Sequence, residues 1–178
     1  MRTKIVSSVY ALVLLFSTTA FAADIFAPHV DYGTGPAPFS VGIGDVYGKG
    51  KEKGIMDVVT ANYYDNNTVT VLRGNGDGTF QITGNHYAGR YSTYIVAGYF
   101  DHDKKIDLAV TNFLVPGTVT ILLGNGDGMF EPFTSYTTGY LPNSIVAEDF
   151  NGDKRMDLAT ANYGSDTMSI LIGNGNGT

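Results

Sequence analysis

The 178-residue sequence contains no cysteine and no tryptophan. Without cysteine there are no disulfides, no thiolate metal sites and no cysteine nucleophile. Charge is also scarce, at 16% of residues against a usual ~25%. With 11 Lys+Arg against 17 Asp+Glu, the net charge of −6 argues against a general binder of nucleic-acid phosphates. Beyond residue 22 no apolar stripe recurs at helical period, and no apolar run is long enough to span a bilayer. Three histidines are present, but neither G-x-S-x-G nor H-E-x-x-H occurs, so the sequence is not read as an enzyme.

What is abundant is glycine, 23 residues, together with 12 Tyr and 10 Phe. That mixture predicts many short strands joined by tight turns. Residues 1–22 read as a signal peptide. Arg2 and Lys4 precede an apolar run from Ile5 to Phe16, and Ala20-Phe21-Ala22 is a cleavage signature. The alternative is an N-terminal anchor, but the run is short of the ~20 residues a span requires. The expected product is residues 23–178, secreted to an extracellular or periplasmic compartment, with its net charge made more negative by two.

The remainder repeats itself. Met56-Asp57-Val58-Val59-Thr60-Ala61-Asn62-Tyr63 recurs as Ile106 to Phe113 and as Met156 to Tyr163, spaced by 50 residues both times. Thr68 to Leu72 matches Thr118 to Leu122 and Thr167 to Leu171. Gly74-Asn75-Gly76-Asp77-Gly78 matches Gly124 to Gly128 and Gly173 to Gly177. Each period reads as four strands, the fourth beginning at Phe26, Phe80 or Phe130, and a 50-residue period of four antiparallel strands indicates β-propeller blades. The expected fold is all-β, with repeats at about 39–88, 89–138 and 139–178, plus an N-terminal strand at 26–33 standing in for the last repeat's fourth strand. Natural closed propellers have 4–8 blades. Three therefore imply part of a larger propeller, or a homodimer that completes a six-bladed ring.

The loop after the first strand carries the chemistry. Asp149, Asn151, Asp153 and Asp157 occupy positions 1, 3, 5 and 9 of that loop, and the carbonyl of Arg155 adds a donor at position 7. Hard oxygen ligands with about three negative charges suit Ca²⁺. The bland alternative is a polar hairpin using Asp/Asn turn chemistry. An EF-hand is excluded, because Thr160 stands where its closing Glu belongs and a strand follows. The second copy offers Asp101, Asp103, the Lys105 carbonyl and Asp107, with Tyr99 at position 1. In the first copy, from Asp45 to Asp57, Lys49, Lys51 and Lys53 supply ammonium groups in place of an ion. Ligand count thus ranks the third loop above the second, and the first last.

The run Val146 to Asp153, continuing through Asp157-Leu158-Ala159-Thr160-Ala161-Asn162, resembles bacterial FG-GAP (VCBS-type) repeats. So does Leu122-Leu123-Gly124-Asn125-Gly126-Asp127-Gly128 in the preceding copy. These repeats are similar to the propeller blades of integrin alpha subunits. The resemblance implies a propeller with Ca²⁺ in the loop between the first two strands, and roles in adhesion to proteins or glycans. By position it implies the ligand sets named above. Such repeats usually carry Gly at position 6, where this chain has Lys104 and Lys154.

In an up-and-down blade, alternate loops fall on opposite ends. The end away from the calcium loops then presents Tyr63, Tyr64, Asn66, Asn67, Tyr91, Phe113 and Tyr140 as ligand-binding candidates. Exposed tyrosines suit an extracellular protein or glycan partner. The expected function is a secreted calcium-binding module for adhesion. A structural spacer is the alternative, and a propeller lyase or hydrolase a more distant one.

Overall fold

The computed structural model describes residues 26–48, 53–64 and 67–178. Among them there are eleven strands and no helix, hence no helix able to cross a membrane. The chain divides into residues 1–31 and 32–178, and every strand lies in the second unit. The predicted signal peptide falls outside the described residues, as does Asn66.

Blade 1 is the sheet β1 (Pro38–Gly44), β2 (Asp57–Asn62), β3 (Thr68–Gly74), β4 (Phe80–Tyr87). Blade 2 is β5 (Ser92–Gly98), β6 (Asp107–Asn112), β7 (Thr118–Leu122), β8 (Thr134–Thr137). Blade 3 has three strands, β9 (Pro142–Glu148), β10 (Asp157–Asn162) and β11 (Thr167–Leu171). All ladders are antiparallel and follow chain order. The β3–β4 hairpin turns at Gly76 and Gly78, with φ of 81° and 89°, values that glycine adopts without steric cost.

Two expected strands differ. The fourth strand of blade 2 begins at Thr134 rather than Phe130, which makes only an isolated bridge to Gly124. Pro132 explains the delay, since it has no N–H to offer a ladder. Residues 26–33 form no strand. A strand exists only against a neighbour, and β11 makes its ladder with β10 alone.

Each sheet is apolar on both faces, because its strands carry Val, Ile, Leu or Thr at consecutive positions. Packing between blades buries them. Val59, Ala61, Val69 and Val71 of blade 1 meet Ile95, Leu108, Val110 and Leu122 of blade 2. Ala109, Val119 and Ile121 on the other face of blade 2 meet Ile145 and Leu158 of blade 3. The stack does not close. Blade 1 ends on Val41 and Ile43, each 64% exposed, and blade 3 ends on Val146, Met168 and Ile170, also exposed.

A buried asparagine closes each second strand. Asn112 donates to the Ala88 carbonyl at 2.8 Å and accepts from the Thr118 and Thr120 hydroxyls. Asn62 and Asn162 link the same strands with the polarity reversed, donating from Nδ2 to the hydroxyls of Thr68 and Thr70, and of Thr167 and Ser169. Asn112→Ala removes the acceptor of two hydroxyls and a donor to the Ala88 carbonyl, and leaves a small cavity. It is expected to cost about 2–4 kcal/mol in urea unfolding, whereas Asn75→Ala in an exposed turn is expected to stay within ~0.5 kcal/mol.

Candidate metal centre

The position-nine aspartates sit at the start of the second strands, and in all three blades they hold the loop. Asp107 is fully buried. It accepts the Phe100 amide on Oδ2 and the Gly124 amide on Oδ1, both at 2.8 Å. Asp57 grips Tyr47 and Gly74 in the same way, and Asp157 grips Phe150 and Gly173. One carboxylate thus ties the loop start to the end of the third strand. Sequence reasoning took Asp107 and Asp157 only as ion ligands; the signal for this second role was the same Asp in the first copy, whose loop lacks the other ligands.

In the second loop Asp101, Asp103 and Asp107 converge, with one oxygen of each within 4.8 Å of the others. Among the described residues this is the group of three acidic or imidazole side chains that meets such spacing. The curl that gathers them is local. Asp101 accepts the Asp103 amide at 2.9 Å, and Asp103 accepts the Lys105 amide at 2.8 Å. The Lys105 ammonium also bonds Asp103. Burial pushes the Asp107 carboxyl up to about 6, against the opposing bonds from Gly124 and Phe100 and with the help of Asp101 and Asp103. For Asp103 desolvation raises the carboxyl, but the Lys105 bonds outweigh it and hold the group below its ordinary value.

The third loop is organised differently. Asp149 accepts the amides of Gly152 and Asp153 on Oδ1 and of Lys154 on Oδ2, at 2.7, 3.1 and 2.8 Å. The Lys154 amide is the largest cause of its lowered pKa. Asn151 bonds Asp153 through both its amide oxygen and nitrogen, and Arg155 pairs with Asp153 at 3.6 Å. The carboxylates of Asp149, Asp153 and Asp157 therefore spend themselves on backbone and on one another's neighbours, and they do not gather as the second loop's do. Convergence favours the second loop, the reverse of the order that ligand count gives. In the first loop Asp45 accepts the Gly54 amide at 2.6 Å; Lys49 and Lys51 lie outside the described residues. Position 6 is left-handed throughout, Gly54 at φ 88°, Lys104 at 67° and Lys154 at 66°. The two lysines thus adopt a conformation that costs an L-residue roughly 1–2 kcal/mol.

Two FG-GAP-like repeats match the sequence, over residues 53–110 and 99–160, which together span more than half of it. The chain belongs to the FG-GAP repeat family. No curated protein and no solved structure matches it. The FG-GAP units run from one loop, through the rest of that blade, into the second strand of the next. They straddle the blade junctions, and the loops do so too. The Gly128 amide in the turn of blade 2 donates to Val46 O of the first loop, and the Gly177 amide in the turn of blade 3 to Phe100 O of the second.

At the opposite end of the FG-GAP stack the aromatic candidates gather around Tyr63. Its ring lies 4.8 Å from Tyr64, 5.5 Å from Tyr91 and 6.4 Å from Phe113. Phe113 continues to Tyr163 at 6.5 Å, and Tyr63 to Phe39 at 5.9 Å. Tyr163 is 70% exposed and was missed in the sequence, although it is the repeat-equivalent of Tyr63 and Phe113. Tyr140 is exposed but outside the ring contacts that centre on Tyr63. Asn67 is a structural pin: at φ 51° its side chain accepts the Tyr91 amide and its carbonyl accepts the Ala88 amide.

The Asp107 carboxyl titrates at about 6 in the fold and near ~4 in an unfolded chain. Between those values the folded chain binds more protons, so this group's contribution is present below about pH 4 and is lost as pH rises through about 6. In metal-free buffer, wild-type stability is expected to fall relative to Asp107→Asn by about 2–3 kcal/mol from pH 4 to pH 7. Urea unfolding at each pH measures this, and a constant difference would contradict the raised pKa.

Proposed function

We propose that the chain is an exported, calcium-binding propeller module that attaches to an extracellular protein or glycan through its aromatic end. The contiguous ring cluster of Tyr63, Tyr64, Tyr91, Phe113 and Tyr163 carries the reading. Flat rings with hydroxyl tips stack on sugar faces or peptide side chains and hydrogen-bond at the rim. Tyr140 borders this end by its place in the chain.

Asp101, Asp103 and Asp107 are the residues that would hold a cation, with the Lys105 carbonyl beside them. A divalent ion supplies positive charge where three carboxylates crowd, and oxygen donors select Ca²⁺ over softer metals. For this the Lys105 ammonium must swing away from Asp103. The third loop, with Asp149, Asn151, Asp153, the Arg155 carbonyl and Asp157, is the weaker candidate. We read the module as a binder rather than an enzyme. The apolar cleft between blades 2 and 3, about 330 Å³, is lined by no carboxylate, imidazole or amine side chain.

Calcium at a hundred times its dissociation constant is expected to stabilise the wild type by about 2.7 kcal/mol. In thermal unfolding Asp103→Ala is expected to abolish most of the calcium-dependent rise in Tm, and Asp153→Ala a smaller part. Equal losses would contradict the ranking. Against a panel of immobilised glycans and extracellular proteins, Tyr64→Ala and Tyr163→Ala are expected to weaken any specific binder by about tenfold each. Binding unchanged in both variants would place the ligand elsewhere, and no binder at all would favour a spacer.

A further inference from the structure

Each blade is entered through a left-handed residue that the end of its second strand ties down. Ala37, Tyr91 and Leu141 are the three copies, with φ of 50°, 54° and 51°. Their carbonyls accept the amides of Tyr63, Phe113 and Tyr163 at 3.0, 2.9 and 3.1 Å. The fold therefore requires this turn but not the side chain on it, since Ala, Tyr and Leu all serve. The residue before it is equally free, being Pro36, Arg90 and Tyr140. Of the three turns, that of blade 2 puts a cation and an aromatic ring side by side.

The two side chains are arranged on one another. The Arg90 guanidinium lies over the Tyr91 ring, 5.6 Å from its centroid. The backbone beneath is fixed twice, because the Tyr91 amide donates to Asn67 Oδ1 at 2.9 Å and its carbonyl holds Phe113. The Tyr91 ring leans on Tyr63 at 5.5 Å, and Tyr64 stands at 76° to Tyr63 with 57% of its surface exposed. A guanidinium stacked on a ring keeps its N–H edge for an acceptor. Arg90 is exposed, and among the described residues no carboxylate pairs with it. Lys53, Arg73, Lys104, Lys105, Lys154 and Arg155 belong to the carboxylate end by their places in the chain. Among the described residues Arg90 is thus the cation of the aromatic end.

We infer that this corner, where blade 1 meets blade 2, binds a uronic-acid residue of a glycan, its carboxylate on Arg90 and its ring face on the tyrosines. This rests on the reading of the aromatic end as the attachment face and narrows its ligand. A planar carboxylate matches the two-pronged edge of a guanidinium. A pyranose lays its C–H bonds on a tyrosine ring and meets the phenolic hydroxyls at its rim. Charge limits the class further. One guanidinium on a chain of net charge −6 attracts an isolated carboxylate, whereas the chain as a whole repels a densely sulfated glycan. An acidic peptide supplies the same carboxylate, but an Asp or Glu side chain has too little apolar surface to cover the rings around Arg90.

A printed array tests this with oligosaccharides containing glucuronate, galacturonate or mannuronate, each beside its carboxyl-reduced copy. A sulfated glycan and an acidic peptide complete it. The full chain is expected to bind at least one uronate probe about tenfold more tightly than its reduced copy. Arg90→Gln, at an exposed side chain, is expected to melt like the wild type and to erase that preference. Arg90→Lys keeps the charge without the fork and is expected to retain only part of it. Tyr64→Ala is expected to weaken the uronate probe and its reduced copy alike. Equal binding of every uronate and its reduced copy overturns the inference and leaves a neutral-glycan reader at the aromatic end standing. A uronate preference that survives Arg90→Gln overturns it too, as does tightest binding to the sulfated glycan or the peptide. Silence on every saccharide also overturns it, and the attachment reading then stands or falls on the extracellular proteins alone.

Discussion

A four-stranded sheet with two apolar faces cannot stand in water, and that constraint organises this chain. Blade 2 is covered on both sides, and blades 1 and 3 each on one. The covering is done by another sheet of the same kind, because the 50-residue period supplies nothing else. Val59, Val69 and Val71 find Leu108 and Val110; Val119 and Ile121 find Ile145 and Leu158. Stacking fixes the loops at the two ends of the strands, and the chemistry follows from that arrangement. Carboxylates gather at one end, where second strands begin, and aromatic rings at the other, where they finish.

The two ends are built on different economies of polar atoms. At the carboxylate end, Asp57, Asp107 and Asp157 hold backbone amides first. Cation capacity arises only where further carboxylates approach, as Asp101 and Asp103 do. At the aromatic end, Asn67 and the buried Asn62, Asn112 and Asn162 absorb the backbone and hydroxyl groups. That leaves the rings of Tyr64 and Tyr163 free to face outward. Both ends sit on blade junctions, so occupation of either bears on how neighbouring sheets are held.

Much of this was legible in the sequence because the period repeats signals that are weak singly. Three copies of the Asp-led run located the second strands, and Asn-Gly-Asp-Gly located the turns. The position-6 lysines stand where glycine was expected, and the backbone there is indeed left-handed. What escaped depended on where individual atoms point. Counting oxygen side chains favoured Asp149, Asn151 and Asp153, but Asp149 is consumed by three amides. Pro132 was visible, yet its effect on the start of β8 required the ladder that it interrupts. The segment from Phe26 was recognised as strand-like, but a strand without its partner is only a sequence.

The junction between blades 1 and 2 is therefore where the account is most exposed. Urea unfolding of Leu108→Ala, at a fully buried position in the cluster with Val59 and Val71, probes it directly. The account predicts a loss of about 2–5 kcal/mol within one cooperative transition. A loss within ~0.5 kcal/mol would contradict it.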